Sequence, residues 1–178
     1  MFIPLGDDNS DRRIHPVANF ALIGLNILVF FFLQGMGSNL PFTYSFSTVP
    51  QEILTGTDVV TQESILSDPA SGKRYRVPGL GVTPLSVYLT LLTSMFMHGG
   101  IMHLLGNMLY LHIFGDNIEN LMGHLRYLIF YLTCGVLASL AHVFTSAALD
   151  ADLLVPSLGA SGAISGVLGG YFLLFPKR

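Results

Sequence analysis

Ser161 stands in Gly159-Ala160-Ser161-Gly162, at the head of a short apolar stretch. His103 and Asn107 lie four residues apart in another apolar stretch, so a helix there carries both on one face. A serine hydroxyl is a nucleophile once a base takes its proton. An amide and an imidazole N–H can hold a developing oxyanion. A helix that starts at Ser161 adds its unbonded N–H groups and the positive end of its dipole. Gly159 and Gly162 let the backbone turn sharply and approach closely at that point. These residue types point to acyl transfer by a serine inside an apolar environment. Ser165 also precedes a glycine and shares a face with Ser161. It lies a turn deeper without a glycine hinge, so Ser161 is the preferred nucleophile.

The surroundings of these residues are membrane-like. The chain has 178 residues, of which 51% are hydrophobic and 11% charged; a soluble domain carries roughly 25% charged residues. Polar residues within apolar spans are costly and tend to be functional. The net charge of −3 argues against nucleic acid as a partner. Cys134 is the only cysteine, which leaves no intramolecular disulfide or cysteine metal site. His103 and His112 point to opposite faces of a helix, and no two histidines have the spacing of a helical zinc pair. No metal or cofactor is expected. His112, His124 and His142 read as polar groups of a bundle or interface.

Hydropathy predicts spans at 17–33, about 101–121, about 125–145 and 161–175. Asp116 and Glu119 weaken the second. Residues 1–16 form a tail, 17–178 a single membrane domain, and about 34–100 a long loop between the first two spans. Residues 34–37 lack a small-x-small cleavage site, so the first span is read as retained. Near the end of the loop, Leu85, Tyr88, Leu89, Leu92 and Phe96 recur at helical spacing. That stretch is too short to span and predicts an interfacial or re-entrant helix, broken by Gly99-Gly100.

Basic residues assign the sides. Arg12, Arg13, Arg126, Lys177 and Arg178 share one side if every span crosses, whereas Lys73, Arg74 and Arg76 sit far from helix ends. The N-terminus is therefore expected in the cytoplasm of a multi-pass cell-membrane protein. Counting along the helices puts Asn107 roughly 9 Å below the opposite face and Ser161 roughly 8 Å below it. Polar groups at one depth predict an aqueous pocket open to the extracytoplasmic side. Two plainer readings stand beside this one. Gly162, Gly166 and Gly170 form a small-residue ridge of the kind that packs helices closely. His103 and Asn107 could serve as an interhelical hydrogen-bonding pair.

Taken in order, three motifs resemble the rhomboid intramembrane serine proteases. They are Met97 to Asn107 with His98, His103 and Asn107; Gly115, Glu119, Gly123 and Arg126; and Gly159-Ala160-Ser161-Gly162. Asn26, after Pro16, fits as well. The resemblance implies an all-α polytopic bundle with four of six core helices present. It implies cleavage of transmembrane segments of other proteins by a Ser–His dyad, without cofactor. Ser161 would be the nucleophile, His103 and Asn107 with the Ser161 N–H the oxyanion hole, and His98 a support. The family's general base is a histidine on the sixth helix, and no histidine of this sequence occupies that position. The departures also include Ser165 in place of an aromatic and the lack of tryptophan. The alternative reading is an inactive rhomboid-like module that binds transmembrane helices. A transporter fragment is a further rival, weakened by a serine hinge that transport does not need. If later helices are missing, the Gly162/Gly166/Gly170 face is expected to be open for self-association.

Overall fold

The computed structural model describes residues 6, 12–67, 72 and 74–176. Lys73, Lys177 and Arg178, used above to assign sides, lie outside them. Helix α1 (Val17–Leu28) begins behind Pro16 and runs on into a wide π turn, Val29–Leu33. The long loop is more ordered than its composition suggests. It holds helices α2 (Leu40–Ser45) and α3 (Pro50–Thr55) and a hairpin of β1 (Ser64–Ser67) and β2 (Arg74–Val77), with Ser64 opposite Val77. The short helix expected as interfacial or re-entrant is α4 (Thr90–Thr93), extended at both ends by 3₁₀ turns to Val87–Phe96. It meets α5 (Ile101–Met122) at a bend of 80° across Met97 to Gly100. Helices α6 (His124–Leu149) and α7 (Ser161–Leu174) complete the chain. The structure is a helical bundle of the expected class, with helix bounds within a few residues of those expected.

Polar and apolar residues are distributed inside out. Asn19, Asn26, Gln34, Asn107, Asp116 and Glu119 are buried, while Phe32, Met102, Leu125, Phe144 and Leu173 are exposed. Lipid-facing helices show this pattern, because outside water cannot satisfy an inward polar group. Helix α6 is long and apolar enough to cross a membrane by itself; the second such unit is α5 joined to the bent segment before it. At 14 residues α7 rises only ~21 Å, short of a ~30 Å hydrocarbon core. Ala160, just before its first turn, is fully buried, whereas Ser161 itself is exposed.

The Gly115/Glu119/Gly123 spacing has a structural account. Glu119 Oε1 and Oε2 accept the Ala18 and Asn19 N–H groups at 2.9 and 2.7 Å, capping α1 with a carboxylate from α5. Asn19 donates to Leu111 O at 3.0 Å and accepts from Tyr127 Oη at 2.7 Å, which ties α1, α5 and α6 together. Gly115 makes room for this contact: a methyl group there would collide with Asn19 and the Tyr127 hydroxyl. Gly123, at φ +78°, makes the tight turn into α6. Arg12 pairs with Asp116, and Asn120 accepts the Arg13 N–H at 2.8 Å, so this part of the tail is fastened to the bundle.

One expectation is overturned. The Gly162/Gly166/Gly170 ridge is not an open seam but the contact between α7 and α6. A methyl group on Gly162 would stand 2.6 Å from Ala138 Cβ, and one on Gly166 2.6 Å from Cys134 Cβ. Gly170 faces Phe130 and Ile118. The sequence declares a close approach but not the partner. That face is not available for self-association.

Two outcomes follow from this packing. Gly166→Ala should destabilise the bundle by about 1–3 kcal/mol through overpacking. Adding Cys134→Gly should restore most of that, both read by unfolding in detergent. In the long loop, Glu52 accepts the Val59 N–H at 3.1 Å, and its pKa is raised above the ordinary 4.5 by burial and then by the neighbouring Asp58. The fold therefore prefers the protonated carboxyl. Its contribution is complete below pH 4.5 and is lost as pH climbs through the raised value. Glu52→Gln should accordingly raise the unfolding temperature at neutral pH and lose that advantage near pH 4, measured by thermal melts at both pH values.

Candidate active site

Three segments converge where α7 begins. The first is the Met97-to-Gly100 bend with the first turn of α5, which carries His98, His103 and Asn107. The second is the approach to α7. Its Gly159 has φ +127°, a conformation that favours glycine, and donates its N–H to Ser94 O at 2.9 Å. The third lies in the long loop. Thr48 exchanges two backbone hydrogen bonds with Ser157, at 3.0 and 2.8 Å, and its hydroxyl meets Ser94 Oγ at 2.9 Å. Gln51 N–H adds a bond to Leu153 O at 2.9 Å. The segment leading to Ser161 is thus stitched to the loop that follows α1.

At the junction, a methyl group on Gly159 would lie 2.9 Å from His103 Cε1, 3.1 Å from its Nε2 and 3.7 Å from Ser161 Oγ. The imidazole and the serine hydroxyl thus flank one point, which only the missing side chain of Gly159 leaves open. His103 Nδ1 accepts the Gly99 N–H at 3.5 Å. In the neutral ring that leaves the proton on Nε2, the nitrogen nearer Gly159. Asn107 is 8% exposed, and its Nδ2 has no hydrogen-bond partner among the described residues. A buried unpaired donor costs about 1–3 kcal/mol and calls for an explanation.

His98 is fully buried, its ring edge-on to that of His103 with centroids 5.2 Å apart. Among the described residues neither of its ring nitrogens makes a well-formed hydrogen bond, and the Phe96 backbone lies near the ring. Ser165 donates its hydroxyl to Ser161 O at 2.8 Å, so that group is engaged with the helix backbone. The arrangement thus brings Ser161, His103, Gly159 and His98 together, with Asn107 one turn along the His103 face.

A cavity of about 190 Å³ lies beside Ser161, lined also by Ser94, Ser139, His142, Ser157 and Gly162. His103 and Asn107 are not among its lining residues. Ser94, Thr48, Ser139 and His142 were not foreseen as neighbours of the serine. For α6 a signal was present: Gly135, Ser139 and His142 fall on one face of an otherwise apolar helix. Of the remaining histidines, His124 contacts Glu119 and His112 stacks against Phe20.

Comparison with known proteins matches residues 86–178, just over half of the chain, to the family model of the Rhomboid domain. The chain is 30% identical to the rhomboid protease GluP of Bacillus subtilis over 156 residues, 86% of this chain and 24% of that protein. It is 34% identical over 88 residues to Rhomboid protein 1, mitochondrial, of Saccharomyces cerevisiae, 49% of this chain and 25% of that one. It is also 37% identical over 92 residues to Inactive rhomboid protein 1 of Drosophila melanogaster, covering 52% of this chain and 6% of the fly protein. The chain therefore spans about a quarter or less of the length of these curated relatives. No solved structure matches it.

The geometry sets one expectation. Gly159→Ala should cost about 1–3 kcal/mol from the strained backbone. It should also displace the His103 ring, read by unfolding in detergent and by the ring position in a structure of the variant.

Proposed function

This chain belongs to the rhomboid family, and on that premise we propose that it is the core of an intramembrane serine endopeptidase acting on transmembrane segments of other membrane proteins. Ser161 is the nucleophile. Its Oγ attacks the carbonyl carbon of a peptide bond, forming a C–O bond as its proton passes to a base. The family resemblance assigns that base to a histidine on a sixth helix, so the activity is a property of the full-length protein. The carbonyl oxygen becomes an oxyanion, received by Asn107 Nδ2, His103 Nε2–H and the Ser161 N–H. Collapse expels the amine, which takes the proton from the base, and water then hydrolyses the acyl-enzyme.

The observation that carries this reading is the buried amide nitrogen of Asn107, unpartnered among the described residues, on the same helix face as an imidazole that shares the point at Gly159 with the Ser161 hydroxyl. A donor held unpaired in the free protein loses nothing when an oxyanion arrives, and such donors are worth about a hundred- to a thousandfold in rate. His98 supports His103 by edge-on packing, and Gly159 and Gly162 keep the approach to the serine open. The proposed location is the cell membrane, with the N-terminus in the cytoplasm and the site open to the extracytoplasmic side. Arg12, Arg13 and Arg126 at one end of the helices support that orientation.

In the full-length protein reconstituted with a model transmembrane substrate, Ser161→Ala should abolish cleavage and labelling by a fluorophosphonate. His103→Ala and Asn107→Ala should each slow cleavage about a hundredfold or more, and Ser165→Ala should leave it intact. Cleavage retained by Ser161→Ala would overturn the assignment. A folded wild-type protein that neither cleaves nor labels would instead be a binding module for transmembrane helices.

A further inference from the structure

The end of α1 follows an uncommon path. Its last turn is a π turn, closed by Gln34 N–H to Val29 O at 2.9 Å. Such turns are rare and concentrate at functional sites. Gly35, Met36 and Gly37 then follow in left-handed conformations, at φ +55°, +56° and +91°. Met36 gains nothing from this by burial, since its side chain is 66% exposed. A non-glycine residue held there costs about 1–3 kcal/mol. The detour delivers one side chain to the interior.

Gln34 is fully buried. Its Oε1 accepts the His98 N–H at 2.8 Å, while its Nε2 donates to His98 O at 3.0 Å and to Thr43 Oγ1 at 3.0 Å. Thr43 donates its own hydroxyl to Asn39 O at 3.0 Å, so only a lone pair faces Gln34, and the amide can sit only one way round. The amide grips both polar groups of the His98 backbone across the gap between α1 and the bend. Among the described residues neither ring nitrogen of His98 makes a well-formed hydrogen bond, although the Phe96 backbone stands close enough to interact with the ring. The backbone clamp orients the ring together with that Phe96 contact and the edge-on contacts to Phe30 at 6.5 Å and His103 at 5.2 Å.

We propose that Gln34 is a positioning residue for the proposed oxyanion site: by clamping the His98 backbone it sets the His98 ring, and through that ring the direction of the His103 imidazole. The proposal rests on the reading of Ser161, His103 and Asn107 as the reacting group and its donors. It makes the end of the first helix part of the site, although Gln34 touches neither the serine nor a substrate.

The test compares Gln34→Met, which keeps the shape and loses all three hydrogen bonds, with Thr43→Val, which removes the two bonds of the Thr43 hydroxyl, to Gln34 and to Asn39 O, and leaves the His98 clamp. Both are made in the full-length protein and measured for kcat and KM on a transmembrane substrate, with thermal unfolding and Ser161→Ala in parallel. A misdirected donor costs rate rather than binding, so Gln34→Met should lower kcat about ten- to a hundredfold while KM stays within about twofold. Thr43→Val should lower the unfolding temperature and keep kcat within about twofold of wild type. If Gln34→Met does not fold, Gln34→Asn replaces it; its amide is one methylene shorter and cannot reach both the N–H and the C=O of His98, and kcat should fall likewise. A folded Gln34→Met or Gln34→Asn protein with wild-type kcat overturns the proposal while Ser161→Ala is inactive. Cleavage by Ser161→Ala would remove instead the functional reading beneath it.

Discussion

The Glu119 carboxylate, buried where α5 ends and α1 and α6 begin, is the contact on which the rest of this bundle depends. A chain whose outer surface is apolar cannot send its polar groups to water, so each must be met from within. Glu119 meets the first N–H groups of α1, Asn19 carries the connection to Leu111 and Tyr127, and α1, α5 and α6 are locked in register by one small network. Removing a partner from such a network leaves a buried polar group exposed to its full desolvation cost. The site at the other end of α5 is built on helices whose rotation is already fixed here. His103 lies beside Gly159, at the approach to α7, while Glu119, further along the same helix, meets α1.

The two ends of the bundle solve opposite problems. At the Glu119 end every donor finds an acceptor, and the result is rigidity. At the Ser161 end Asn107 Nδ2 has no partner among the described residues, and the His98 ring nitrogens make no well-formed hydrogen bond there. An interior can afford such groups only where the framework elsewhere is over-determined. The first helix serves both ends, with its N-terminus under Glu119 and Gln34, beyond its π turn, against His98.

Much of this was legible in the residues. The apolar runs gave the helices, and Gly99-Gly100, Gly123 and Gly159 marked their breaks, because glycine punctuation is a local signal. The i and i+4 spacing put His103 and Asn107 on one face, and the missing hinge set Ser165 apart from Ser161. What could not be read depends on contacts between distant segments. The glycine ridge on α7 announced a tight approach without naming α6 as its partner. Helices α2 and α3 and the hairpin are too short for periodicity to reveal them. Gln34 and Thr48 look like ordinary loop residues until the chain folds back on itself.

The Thr48–Ser157 pairing has a consequence for the order of assembly. Its two members are separated by nearly the whole of the bundle, and a pairing so distant along the chain cannot form until the intervening helices are in place. During synthesis the loop after α1 emerges early and must wait for the segment before α7. Until that late closure, Gly159 lacks the strand that anchors its approach, and the Ser161 hydroxyl has no fixed relation to His103. The chain can therefore thread its apolar segments one by one before the approach to Ser161 takes its final shape. That shape arrives when α7 docks and the loop after α1 closes on Ser157.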